Sequence, residues 1–288
     1  MSSNKLFSGV SFGYITWRLP LTVPPPPPAN DRCAAATDIN LAAGSRITLS
    51  VNLTSAVHDL DSPCDLVGGA DAFYRFTLTR REFVYADTFG TPWDTKLFFA
   101  TACTTQLRTS QTLGDLICDN DLGASCTTGG TASQVYTVLN PGTYYLVLSS
   151  NGTPGVATIH FEHLNFGSGA LSPLARGISV RSGTTSGTGA YTSTCGGTGP
   201  EAAYWWVTCP EQLAGTLTAS TCSRATWNTV LSVVSGGAVG DACNNDSTTC
   251  SPQSVLSATL GAGASLHALV VDGFSGALGS YSVSVTRP

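Results

Sequence analysis

Trp93-Asp94-Thr95-Lys96-Leu97 and Trp227-Asn228-Thr229-Val230-Leu231 are two copies of one pattern, and a longer correspondence grows outward from them. Cys118-Asp119-Asn120-Asp121 recurs as Cys243-Asn244-Asn245-Asp246, with Cys126 and Cys250 beyond them. Leu139-Asn140-Pro141-Gly142 matches Leu260-Gly261-Ala262-Gly263, and Asn151-Gly152 matches Asp272-Gly273. The order holds while the offset drifts from 134 to 125 to 121 residues, as loop-length changes after duplication of a domain produce. The chain accordingly divides into an N-terminal segment 1–23, a polyproline linker 24–30, a module 31–164, a linker 165–176 and a module 177–288.

Each module reads as strands joined by polar turns. Phe73–Leu78 and Tyr204–Cys209 are rich in the aromatic and branched residues that suit a pleated surface. Thr143–Leu148 runs into Asn151-Gly152 and Leu266–Val271 into Asp272-Gly273, both tight-turn signals because glycine accepts positive φ. Terminal strands are expected at Ala157–Glu162 and Tyr281–Thr286. With about eight strands per module and almost no helical periodicity, two packed sheets cover the apolar faces most economically. The expected fold class is all-β, with two tandem β-sandwich domains.

Composition narrows the function. Of 288 residues only 11% are charged, and Lys+Arg 13 against Asp+Glu 18 leaves a net charge of -5, which speaks against a nucleic-acid surface. No apolar run approaches the roughly 18 residues of a membrane span. Ten cysteines without a CxxC pair fit disulfides in an oxidising compartment better than a zinc ribbon, and so an extracellular or cell-surface location. The local pairings expected are Cys33–Cys64, Cys103–Cys118, Cys195–Cys209 and Cys243–Cys250, which leave Cys126 and Cys222 unmatched.

The WDTKL and WNTVL segments, CDND and CNND, NPGTYYLVL and the C-terminal VVDGFSGALGSYSVSV together resemble bacterial pre-peptidase C-terminal domains, in particular the cysteine-rich variety of secreted proteins from myxobacteria-like organisms. The resemblance covers both modules. It implies jelly-roll-like sandwiches that are non-catalytic appendages of secreted enzymes or surface proteins, with calcium-dependent collagen-binding modules among the relatives. No catalytic domain accompanies the modules here, and no collagen-binding surface is identifiable.

Asp94, Asp119 and Asp121 offer hard oxygen ligands that suit Ca²⁺; the matching Asn228, Asn244 and Asp246 carry less charge. The same residues equally serve as turn formers tying the Trp-containing strand to its neighbour. His58, His160, His163 and His267 lie in no HExxH pattern and beside no GxSxG elbow, so no catalytic constellation is legible. Trp93, Trp205, Trp206 and Trp227 fall in recurring strand patterns and read as core, with Trp205 and Trp206 facing opposite sides so that one reaches an interface. Asn52, Asn151 and Asn245 stand in short glycosylation sequons.

The N-terminal segment lacks the basic-then-apolar order of a signal peptide. Ile15, Trp17, Leu19, Leu21 and Val23 alternate with Thr16, Arg18, Pro20 and Thr22, as in a strand with one buried face, and Pro24–Pro28 form a stiff spacer. Two functions compete. One is a structural or adhesive surface protein, a homo-oligomer or filament in which residues of about 7–23 enter a neighbouring subunit. The other is a non-catalytic module that binds a surface glycan or a matrix protein.

Overall fold

A computed structural model describes residues 23–65, 67–109, 115–121, 126–127, 130–167, 169–236 and 242–288. Of the expected assembly strand, Ile15, Trp17, Leu19 and Leu21 lie outside the described residues; Val23 is within them and is 84% exposed.

The chain is all-β, built as four sheets in two sandwiches. After a 3-10 turn at Cys33–Ala35, the strands of the first half are β1 (Thr37–Asp38), β2 (Arg46–Asn52), β3 (Asp71–Leu78), β4 (Glu82–Asp87), β5 (Thr95–Ala102), β6 (Thr105–Gln106), β7 (Cys118–Asp119), β8 (Gln134–Leu139), β9 (Gly142–Ser150) and β10 (Val156–Asn165). The second half has β11 (Leu171–Pro173), β12 (Gly177–Thr184), β13 (Ala202–Val207), β14 (Gly215–Ser220), β15 (Thr229–Ser235), β16 (Ala242–Asn245), β17 (Val255–Leu260), β18 (Leu266–Gly273) and β19 (Ser280–Arg287). The sheet orders are β1-β3-β9-β5-β6 with β7 beside β5, then β2-β10-β4-β8, then β11-β13-β18-β15-β16, then β12-β19-β14-β17. Apart from β6, which has no counterpart, the halves repeat one topology, with the WDT-type strand paired to the CDND-type strand in each.

Alternation along the strands sets the layers, because successive side chains point to opposite faces. In the first sandwich Tyr74, Phe76, Leu97, Phe99 and Leu148 meet Val84, Ala86, Ile159 and Phe161. In the second Tyr204, Trp206, Leu231 and Val271 meet Leu217, Leu256, Val283 and Val285. The residues between these point the other way and join the sandwiches: Phe83, Tyr136, Val138 and Leu164 pack on Ala203, Trp205, Ala268 and Val270. Trp205 lies 4.5 Å from the Phe83 ring and 5.6 Å from Tyr136. The result is a stack of four sheets, with the β1-containing sheet at one end and the β12-containing sheet at the other.

The disulfides differ from the local pairings. They join Cys33 to Cys103, Cys64 to Cys118, Cys126 to Cys209, Cys195 to Cys243 and Cys222 to Cys250, with Cα separations between 5.4 and 6.0 Å. Nearness in sequence misleads because the bridges pin long loops to the sheet beneath them: Cys118 sits on β7, and the loop carrying Cys64 lies across it. Cys126–Cys209 ties the two sandwiches together, and the Thr127 N–H and hydroxyl both donate to Glu211 beside it.

A second correction concerns Asp272-Gly273. Asn151-Gly152 does form a turn, with Gly152 at φ +107°. Asp272 and Gly273 instead lie inside β18, and the turn follows at Ser275-Gly276, φ +49° and +83°. The register shows why. Asp94 O accepts from Asn151 N, whereas Asn228 O accepts from Phe274 N, so Asp272 is the counterpart of Ser149.

Candidate functional site

The recurring Trp-x-Thr pattern builds the same hydroxyl network twice. Thr95 Oγ1 lies 2.6 Å from Thr88 Oγ1, Thr88 Oγ1 accepts from Ser133 N, and Ser133 Oγ donates to Thr95 O. Thr229, Thr221 and Ser254 repeat each bond. The Trp93 indole N–H donates to Val156 O at 3.0 Å, and that of Trp227 donates to Ser280 O at 2.9 Å. Both rings face a glycine: a Cβ at Gly279 would collide with Trp227, and one at Gly155 would crowd Trp93 at 3.2 Å. The motif is thus a clasp between the central strand and the last strand of each sandwich.

The acids expected to gather round a cation part company. Asp119 is buried and turns inward, its Oδ2 accepting from Gln134 N at 2.8 Å. Asp94 Oδ2 accepts from Asn151 Nδ2 at 2.9 Å while its Oδ1 has no partner. Burial pushes the Asp94 carboxyl above its usual range, and the negative charges of Asp121 and Asp65 add to this. Lys96 fills the middle of the group: fully buried, it lies 2.9 Å from Asp65 and donates to Val67 O. Asn120 Nδ2 reaches Asp65, leaving Asn120 Oδ1 unpartnered. Among the described residues, the one group of three His, Cys or acidic ligands within reach of a common centre is Cys126, Cys209 and Glu211. Its two sulfurs are joined to each other, so it offers no thiolate.

Several buried acids lie outside the group expected to bind a cation. Asp71 Oδ2 accepts from Asp59 N and Leu60 N, and Glu201 Oε1 accepts from Ala190 N and Tyr191 N; each acid pins the loop above its sheet. Burial raises both carboxyls. Asp272 is raised to about 7 by burial first and then by Glu201, and Asp272 Oδ2 has no partner. Between the sandwiches, Glu162 Oε1 accepts from Leu266 N and lies 3.7 Å from Arg46, which also meets Asp87 and donates to Ala264 O. Burial lifts Glu162 to about 7 against the pull of Arg46.

The histidines are spoken for structurally. His160 contacts Asp87, His163 contacts Glu82, and His58 faces Asp61 and Asp71. His267 stacks on Trp206 with ring centres 5.2 Å apart, between Ser235 and Thr208; burial lowers it to about 4. None of these contacts places a histidine between a hydroxyl and a carboxylate. The cleft between the sandwiches, about 320 Å³, is lined by Leu164, Phe166, Tyr191 and Val234, with no carboxylate, histidine or cysteine in its wall.

No protein-family model matches the chain, and no curated protein does. Among solved structures, it is similar to the pre-peptidase C-terminal domain of a collagenase from Bacillus anthracis at 13% identity and TM-score 0.27, covering 44% of this chain and 93% of that one. It is similar to the CUB1-EGF-CUB2 domains of rat MASP-1 at 8% identity and TM-score 0.22, covering 87% and 100%. A Paenibacillus xanthan lyase matches at 14% identity and TM-score 0.24, covering 76% of this chain and 23% of the lyase. The match to a pre-peptidase C-terminal domain is thus distant and partial.

Proposed function

We propose that the chain is a non-catalytic binding module of a secreted protein, displaying a flat neutral surface to a carbohydrate or a matrix protein. The observation that carries this is the outer face of the β12-β19-β14-β17 sheet. Thr216, Thr218, Ser257, Thr259, Ser280 and Thr286 all point outward and are exposed, while the charged residues of these strands, Arg181 and Arg287, point inward. A face of short hydroxyls costs less to desolvate than a charged one and offers donors and acceptors at regular spacing. The opposite end of the stack is different: its outer apolar residues Phe73, Phe98 and Val147 lie under disulfide-pinned loops with Leu60 and Cys33. Five disulfides and tandem jelly-roll-like sandwiches suit an extracellular location. Calcium is not needed for this surface, and Lys96 supplies the cation among the acids of the first sandwich.

The test is binding of the full chain to immobilised neutral polysaccharides and matrix proteins. Thr218→Arg should weaken the interaction at least tenfold while Thr48→Arg, on β2, leaves it unchanged. Equal binding by both variants, or hydrolysis of any ligand, would overturn the reading.

A second reading is favoured by one observation, the exposed apolar residues of the edge strand β12: the chain is a structural subunit that assembles through its N-terminal segment.

A further inference from the structure

β12 alternates like its counterpart β2 but puts its apolar residues on the solvent side. Strand β2 turns Ile47, Leu49 and Val51 toward the core. In β12 the pattern is displaced by one residue, so Ile178 and Val180 face solvent at 85% and 54% exposure. Ser179 and Arg181 face inward instead, and Ser179 Oγ and Arg181 Nε are buried without partners. A one-residue displacement inverts both faces of a strand and here leaves an apolar strip on the outer face.

β12 is also an edge. It pairs with β19 along all eight residues and with no other described strand. Edges of this length are normally blunted by outward charge, proline or a covering loop. Gly177–Thr184 has neither a proline nor an outward charge.

Resting on the structural-subunit reading above, we propose that the free edge of β12 receives residues 15–23 of a second copy as an added strand. The incoming segment fits in length, nine residues against eight. It fits in chemistry, because its five alternating apolar side chains extend the aliphatic strip of Ile178 and Val180. Backbone pairing supplies affinity and the alternate side chains supply register.

The occupant comes from another molecule because of where the segment starts. Asn30 is fixed to the other end of the stack, its carbonyl accepting from Phe73 N and its side-chain Nδ2 donating to Phe73 O. With sheets spaced about 10 Å apart, the β12 layer lies about 30 Å from that anchor. Residues 23–30 reach about 25 Å at polyproline extension, short of the path around the rim. Val23 and Pro24–Pro27 are exposed, as a spacer leaving its own molecule would be. The donor and acceptor surfaces differ, so the contact is head-to-tail and propagates.

Light scattering on the full chain, the 1–23 deletion and Ile178→Lys/Val180→Lys distinguishes the outcomes. The expected result is an assembling full chain, with both variants at least tenfold less assembled and unchanged in circular dichroism. A synthetic peptide of residues 11–23 should cap assembly of the full chain. A monomeric full chain, including one whose β12 amides lose protection on deletion because the segment docks in cis, overturns the subunit reading and this proposal together. Assembly that is lost on deletion but survives the double Lys variant leaves the subunit reading standing and overturns β12 as the acceptor. Thr48→Lys/Ser50→Lys on β2 is the matched control, expected to assemble normally.

Discussion

The two sandwiches meet the same electrostatic problem with different residues. On one face of the first, Asp71, Ser149 and Lys96 stand side by side across β3, β9 and β5, with Asn120 next in line past β7. The matching row of the second is Glu201, Asp272, Val230 and Asn245. The first row holds a buried ammonium among its acids; the second replaces it by Val230 and adds a carboxylate where the first has a hydroxyl. Asp272 is acted on by burial, by the Gly273 and Gly199 N–H groups and by the repulsion of Glu201, with no cation among these influences. One duplicated frame therefore sets a buried lysine beside Asp65 in one copy and, in the other, leaves Asp272 with no cation and its carboxyl raised to about 7.

The largest effect expected from breaking this comparison is that of Lys96→Met. Removing the buried ammonium takes the cation from the partly exposed Asp65 and Asp94 and costs about 2–3 kcal/mol. Denaturant unfolding at pH 7 measures it, and a loss below 1 kcal/mol would show that the ammonium does not hold the row together. Asp272→Asn should act in the opposite direction. The folded value near 7 lies above the ordinary 3.8, so the folded chain keeps a proton that the unfolded chain releases. The stability contributed by that proton is complete below about pH 4 and is lost as pH rises to about 7. Asn keeps the neutral form at all pH, so the variant should gain about 1–3 kcal/mol at pH 8 and flatten the slope between pH 4 and 7. An unchanged pH profile would remove the proton from the account.

What could be read from the sequence follows from the range of the forces involved. Strand alternation and the recurrence of Trp-x-Thr are local, and they foretell an all-β chain of tandem sandwiches and Trp205 facing away from Trp206. Disulfide partners are set by which loops the finished sheets bring together, so sequence nearness chose Cys33–Cys64 where the fold joins Cys33 to Cys103. Asp272 was misplaced because Asp-Gly is a strong turn signal in isolation, whereas burial under the glycines Gly197 and Gly199 keeps it in β18. Asp119 reads as a ligand beside Asp121, yet β7 ends at Asp119, so the strand does not hold the two carboxylates on one face and Asp119 turns inward to Gln134 N. Glu201 and Asp71 carried a faint signal, a lone acid just before an aromatic strand in both modules, that only the loops above them make intelligible.

Where the sandwiches agree, substitutions should agree as well. Thr95→Val and Thr229→Val each remove the hydroxyl at the centre of a buried network and strand its partners, at a cost of about 1–3 kcal/mol. The expected result is two losses within about 0.5 kcal/mol of each other, since the sites share no partner and lie in separate cores. A large loss at one position and none at the other would mean that only one network is needed for folding, and that the second Thr recurs for another reason.

The finest expected effect belongs to the tryptophans that open the motif. Trp93→Phe and Trp227→Phe keep a ring against Gly155 and Gly279 but delete the N–H bond to the last strand, Val156 O in one copy and Ser280 O in the other. Each carbonyl lies near the surface, so water replaces part of the lost bond and the cost should be about 0.5–1.5 kcal/mol. The two positions differ in what lies beyond the bond. Ser280 is on β19, the direct neighbour of β12, whereas Val156 is on β10, next to the edge strand β2. If the Trp227 bond helps set the position of β19, Trp227→Phe should weaken assembly of the full chain in light scattering more than Trp93→Phe does at equal loss of stability. Equal effects on assembly would confine both tryptophans to holding their own sandwiches closed.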